Sequence, residues 1–141
     1  MRVYLEGKVK IAVLGNQAFS LLNFRGDLVH EMVKRGHEVL AFAPDYDETG
    51  RVAVRALGAK PIDYSLSRTG LNPFRDLRDF VALVFLLYRL KPDLLFSYTI
   101  KPTIYGTLAG WIAGIPKRFA MIEGLGYAFI QAGEKESLKR R

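Results

Sequence analysis

Short β-branched runs alternate with longer stretches of helical period from residue 8 to residue 121, and glycine or proline stands at nearly every junction. "KVKIAVLG" at 8–15 reads as a buried parallel strand that ends in glycine. "FSLLNFRGDLVHEMVKRGH" follows at 19–37, with Phe19, Leu22, Leu28, Val29, Met32 and Val33 near helical spacing and Gly36 as its C-cap. "HEVLAFAP" at 37–44 is a second strand closed by Pro44, "GRVAVRALGA" at 50–59 a short helix, and "KPIDYSL" at 60–66 a short strand. Asn72 is a good N-cap and Pro73 suits the first helical position, so a helix is expected from there to about Leu90. "DLLFSY" at 93–98 is a central strand, "PTIYGTLAGWIAGIP" at 102–116 a helix, and "RFAMIEG" at 118–124 one more strand. Strands joined by helices in this rhythm specify an α/β fold, a parallel sheet covered on both faces through right-handed crossovers. In the last helix Gly106, Ala109, Gly110 and Ala113 fall on one face with almost no side-chain bulk, which should let its backbone press on the sheet.

The long helix changes character midway. Its first half is read as amphipathic, with Arg75, Asp76, Arg78 and Asp79 facing out, and its second half as apolar nearly all round, hence buried on more than one side. The sharper reading is a partly exposed apolar patch around Phe80 to Tyr88, rimmed by Arg68, Arg75, Arg78 and Arg89 and suited to anionic lipid headgroups. The run "FVALVFLLY" is about half the length that crosses a bilayer. No signal-peptide pattern opens the chain. The formal charge of +7 favours anionic partners, but no run of five like charges and no nucleic-acid module is present, which argues against nucleic acid. With no cysteine and two histidines, His30 and His37, a thiolate metal site is impossible and a zinc site unconvincing.

Ligands of open parallel sheets sit beyond the carboxyl ends of the strands. The candidate loops are therefore 15–20, 44–48, 65–70, 97–102 and 123–127. The first carries Gly15, Asn16 and Gln17 at a helix start, where backbone N–H groups favour an anion or a polar sugar. It lacks the three-glycine fingerprint of dinucleotide folds, which weakens a nicotinamide or flavin reading. Asp45 and Asp47 could chelate a metal but, beside Tyr46 and Glu48, read better as a solvated face, and His37 as a helix cap. "SYTIKP" at 97–102 sets Thr99 and Lys101 at a strand exit, and an ammonium is a good point-charge partner for phosphate. "EGLGY" brings Glu123 between strand and loop, with Gly124 and Gly126 allowing close backbone approach.

"RGHEVLAFAP", "SRTGLNPFRDLRDF", "KPDLLFSYTIKPTIYGTLAGWIAGIP" and "EGLGYAF" occur in this order. The series resembles the N-terminal, acceptor-side domain of bacterial family 4 GT-B glycosyltransferases of the capsule, O-antigen or exopolysaccharide type, from about Lys8 to Phe129. The resemblance implies a Rossmann-like half of a GT-B fold over residues 1–141, with the donor-binding C-terminal domain absent from this chain. It implies a retaining glycosyltransferase that needs no metal or cofactor and moves a sugar from a nucleotide-sugar donor to a polyprenyl-diphosphate saccharide. Such an enzyme works in the cytoplasm, at the inner face of the cell membrane, and this fragment alone would be inactive. On this reading Gly15, Asn16 and Gln17 form the cleft floor. Arg68, Thr99 and Lys101 meet acceptor phosphates or hydroxyls, and Glu123, the candidate catalytic residue that could orient a hydroxyl or act in proton transfer, closes with Gly124 and Gly126 on the reacting sugars. Many relatives carry a histidine where this chain has Glu123. Arg75, Arg78, Phe80 and Arg89 would touch the membrane. The alternative is a non-catalytic binding subunit that pairs with a separate donor-binding partner.

Overall fold

The computed structural model describes residues 7–67 and 72–123. Nine elements follow one another: β1 (Lys10–Leu14), α1 (Ala18–Lys34), β2 (Glu38–Ala43), α2 (Glu48–Ala56), β3 (Lys60–Asp63), α3 (Pro73–Leu90), β4 (Leu94–Tyr98), α4 (Ile100–Ile112) and β5 (Lys117–Met121). The five strands form one parallel sheet in the order β3-β2-β1-β4-β5. The α/β architecture expected from the rhythm is the one observed.

Strand alternation sorts the core into two layers. Ile11, Val13, Val39 and Ala41 face one side, where Leu21 and Val29 of α1 and Val54 of α2 cover them. Ala12, Leu14, Leu40, Phe42 and Leu95 face the other, under Leu83 and Leu87 of α3 and Ala109 of α4. β1 and β2, buried on both faces, are apolar almost throughout, as central parallel strands must be. The small face of α4 lies where the sequence puts it. A Cβ on Gly110 would stand 2.8 Å from Leu95 Cδ2, and one on Gly106 2.9 Å from Leu14 Cδ2.

Four expectations need correction. The fully buried residues of α1 are Ala18, Leu21, Gly26 and Val29, with Leu22, Met32 and Val33 packed beside them, while Phe19 and Leu28 face solvent. In α3, Asp76 and Asp79 point inward, not out: Asp79 is 3% exposed and neither carboxylate oxygen has a hydrogen-bond partner. The second half of α3 buries only Leu83 and Leu87 fully, and Phe74, Leu77, Val81, Phe85 and Tyr88 form one solvent-facing stripe. Finally, α4 begins at Ile100, so Lys101 and Pro102 belong to its first turn and not to a loop.

The caps read from sequence hold at α3, where Asn72 Oδ1 accepts from Arg75 N at 3.3 Å and Pro73 follows. Asp47 is not a solvated acid: it caps α2 by accepting from Gly50 N at 2.6 Å. His37 caps α1 through its backbone, whose N–H donates to Met32 O at 3.2 Å, while its Nδ1 accepts from Val9 N at 3.2 Å and pins the entry to β1.

Candidate functional site

The sheet order reverses between β1 and β4. The chain leaves β1 toward α1 on one face and β4 toward α4 on the other, so a crevice opens between them at the carboxyl ends. It holds a cleft of about 810 Å³, lined in part by Asn16, Thr99, Lys101 and Glu123 and in part by Ile100, Ile104, Met121 and Ile122. Four residues singled out from three loops therefore meet at one cavity.

Gly15 is explained by packing. Tyr64 Oη donates to Gly15 O from one face of the sheet. From the other face Tyr98 presses so close that a Cβ on Gly15 would lie 2.5 Å from its Oη. Burial pushes both phenols above their ordinary pKa. Gln17 takes the N-cap position of α1, although its side chain makes no capping bond.

The two helix N-termini at the crevice differ electrostatically. At α1, Asp45 Oδ1 accepts from Ala18 N at 2.7 Å, so a carboxylate from the neighbouring strand exit already sits on the positive end of the dipole. An incoming phosphate would meet a like charge there. At α4 no side chain caps the helix: Thr99 holds φ 66 and ψ 162, and its buried Oγ1 has no hydrogen-bond partner. For a β-branched residue that backbone conformation is costly, about 1–3 kcal/mol. Thr103 Oγ1, one turn on and also lining the cleft, is likewise buried without a partner. The anion-receptive end of the crevice is therefore the start of α4, not the start of α1.

Lys101 stands at this end, with its ammonium engaged. Nζ donates to Ser67 O at 2.5 Å and to Asp76 Oδ1 at 3.2 Å, and it lies 5.8 Å from the centroid of the Tyr105 ring. It ties the first turn of α4 to the N-terminal part of α3 and to the segment after β3. Across the cleft, Arg25 of α1 lies over the Tyr98 ring at 5.0 Å and donates from Nη2 to Glu123 Oε1. Arg68, Gly124 and Gly126 lie outside the described residues. Among the described residues, no three His, Asp or Glu side chains are grouped to hold a metal ion.

The residues assigned to a membrane divide. Arg75, Arg78 and Arg89 are exposed on one flank of α3, beside the apolar stripe. Phe80 is turned inward, half-buried against the core and 6.1 Å from the Tyr105 ring centroid. No helix among the described residues is long and apolar enough to cross a membrane.

Sequence reasoning missed Arg25 and misplaced two acids: Asp45 is not a solvated acid but accepts from Ala18 N, and Asp76 does not face out but accepts from Lys101 Nζ. Arg25 left a trace, since it sits four residues from both Leu21 and Val29 and so interrupts the buried stripe of α1 with a charge. Asp45 left none: its partner is 27 residues away and is reached only because β1 and β2 are neighbours.

No protein-family model matches the chain. Over 132 residues it is 36% identical to a Campylobacter jejuni protein named N,N'-diacetylbacillosaminyl-diphospho-undecaprenol alpha-1,3-N-acetylgalactosaminyltransferase, an overlap of 94% of this chain and 35% of that one. The chain thus spans about a third of the length of the curated relative it matches. Among solved structures it is similar to the glycotransferase of kitacinnamycin, with a TM-score of 0.59 and 21% identity over 95% of this chain and 36% of the other. Acinetobacter baumannii MurG gives 0.56 and 18%, covering 79% and 34%. A UDP-N-acetylglucosamine 2-epimerase gives 0.58 and 18%, covering 78% and 31%. These likenesses establish the fold, which transferases and an epimerase share.

Proposed function

We propose that this chain, a Rossmann-like domain of the bacterial GT-B glycosyltransferase type, is the acceptor-binding half of an enzyme that moves a sugar from a nucleotide-sugar donor to a polyprenyl-diphosphate saccharide. The observation that carries this reading is the asymmetry of the switch-point cleft. One helix N-terminus is closed by Asp45; the other offers uncapped backbone, two unpartnered threonine hydroxyls and Lys101. A diphosphate fits the second, with the ammonium of Lys101 leaving Asp76 to meet it. Asn16 and Glu123, on the opposite lip, suit the hydroxyls of the attached sugar. Isoleucines 100, 104 and 122 give the same mouth an apolar wall for the first isoprenoid carbons. The named activity of the Campylobacter relative, on an undecaprenol-diphosphate sugar, agrees in kind. A donor-binding half outside these residues completes the enzyme, with retention of configuration and without a metal, in the synthesis of a surface polysaccharide such as capsule or lipopolysaccharide.

The lipid tail of such an acceptor keeps the enzyme at a bilayer. The surface that suits the cytoplasmic leaflet is the α3 stripe, with Phe74 87% and Phe85 64% exposed and Arg75, Arg78 and Arg89 alongside. Ile104, Leu108, Trp111 and Ile112 of α4 are exposed as well. Each arginine near an anionic surface contributes about 1 kcal/mol, and salt cuts this off within a Debye length of roughly 8–10 Å.

Two experiments test the proposal. The full-length protein that carries this domain, given nucleotide sugars and a short-chain polyprenyl-diphosphate saccharide, should form the extended saccharide; a folded protein inactive with every donor would refute it. Anionic vesicles should sediment the domain at low salt and release it at high salt. Arg75→Glu with Arg78→Glu should abolish this binding, while Lys34→Glu with Arg35→Glu should not; equal effects would reduce it to net charge.

A further inference from the structure

We infer that Arg25 is a positioning residue: it holds the Glu123 carboxylate on the lip of the cleft so that the second carboxylate oxygen is free to accept a hydroxyl of the acceptor sugar. This rests on the glycosyl-transfer reading of the cleft. Arg25 occupies a place on α1 where Leu21 and Val29, one turn to either side, are fully buried. An apolar side chain there would complete the stripe without any polar group to satisfy. The chain instead keeps a guanidinium whose side chain is 16% exposed, with Nε buried and without an acceptor. Burying such a group is unfavourable unless its fixed fork is put to use.

Its orientation is fixed from three directions. The guanidinium rests on the face of Tyr98 at 5.0 Å, Nη1 donates to Phe24 O at 3.2 Å, and Nη2 donates to Glu123 Oε1. Tyr98 is itself 1% exposed and immobilised at the end of β4, with its Oη 3.5 Å from Ser20 Oγ. A rigid path therefore runs from α1 through the tyrosine ring to the arginine fork. Glu123, by contrast, lies two residues past the last residue of β5, its side chain is 39% exposed, and among the described residues Arg25 is its only ion-pair or hydrogen-bond partner. Without the fork, nothing described holds this carboxylate at the cleft. One oxygen is committed to Arg25, and the other remains for a ligand in the cleft that Glu123 lines together with Asn16 and Thr99.

The test is a double-mutant cycle on the full-length enzyme, with UDP-N-acetylhexosamine donors and a short-chain polyprenyl-diphosphate N-acetylhexosamine as acceptor. Arg25→Met and Glu123→Gln should each lower kcat/KM for the acceptor about 10- to 100-fold. The double variant should be no worse than the poorer single one, because both changes remove one arrangement. Arg25→Lys should recover part of the activity, since it keeps the charge and loses the fork. If Arg25→Met shifts only the melting temperature while kcat/KM stays within about threefold of wild type, or if the two losses multiply, Arg25 is structural and the inference fails. Wild-type enzyme inactive with every donor would remove the transfer reading and this inference together; an active enzyme indifferent to Arg25 removes the inference alone.

Discussion

Two helix-interior glycines make a sharp test of how closely α4 lies against the sheet. Replacing either Gly26 of α1 or Gly110 of α4 by alanine gains about 0.8–1.0 kcal/mol of intrinsic helix propensity. At Gly26 the new Cβ would find Leu57 Cδ1 at 3.9 Å, an ordinary contact. Gly26→Ala should therefore stabilise the domain by about 1 kcal/mol, or raise the melting temperature by roughly 3 °C for a chain of this size. At Gly110 the Cβ would stand 2.8 Å from Leu95 Cδ2 and 3.3 Å from Arg118 Cδ. Leu95 is fully buried beneath α4 and cannot yield without disturbing its neighbours. Overpacking of this kind costs about 1–3 kcal/mol, which cancels or outweighs the propensity gain. Gly110→Ala should thus be neutral to about 2 kcal/mol destabilising, and Gly110→Leu worse. Urea unfolding followed by circular dichroism reads both. Equal stabilisation by the two alanines would refute the close approach of α4 to β4. The result bears on the site, because the same contact fixes the height of Thr99 and Lys101 at the other end of α4.

Gly15→Ala should displace the Tyr98 hydroxyl and cost about 1–3 kcal/mol in urea unfolding; no loss of stability would mean the ring is not seated as described. Asp45→Ala should cost about 1 kcal/mol by uncapping α1, and it should tighten binding of inorganic phosphate if that dipole end is otherwise open. Asp79→Leu should stabilise by about 1–3 kcal/mol, since neither carboxylate oxygen has a partner; a clear loss would reveal a bond this carboxylate makes. Burial raises the pKa of Tyr46, Tyr64 and Tyr98. The unfolded chain releases these protons near pH 10 while the native state holds them, so the stability they contribute is complete below that pH and lost above it. Absorbance at 295 nm should show part of the seven tyrosines ionising only as the fold opens; full, early titration would contradict their burial.

Much of the fold was legible along the chain because it depends on neighbours in sequence. The unbroken apolar runs of β1 and β2, the period of 3.6 in the helices, Asn72 before Pro73 and the left-handed turn at Gly36 (φ 91) all act within a few residues. The bare face of α4 was equally plain, since spacing alone puts Gly106, Ala109 and Gly110 together. The strand exits named Asn16, Thr99, Lys101 and Glu123 for a comparable reason: an open parallel sheet collects its strand ends on one edge. What the chain alone could not express was the pairing across that edge. Asp45 reaches α1, Asp76 takes the charge of Lys101, and Arg25 reaches Glu123 98 residues away. Such partners depend on strand order and on how far each helix is rotated about its axis, which also set Phe19 of α1 outward and Asp79 of α3 inward. Sequence determined the layers and the edge where a ligand can sit; only tertiary packing decided which charges are already spoken for there.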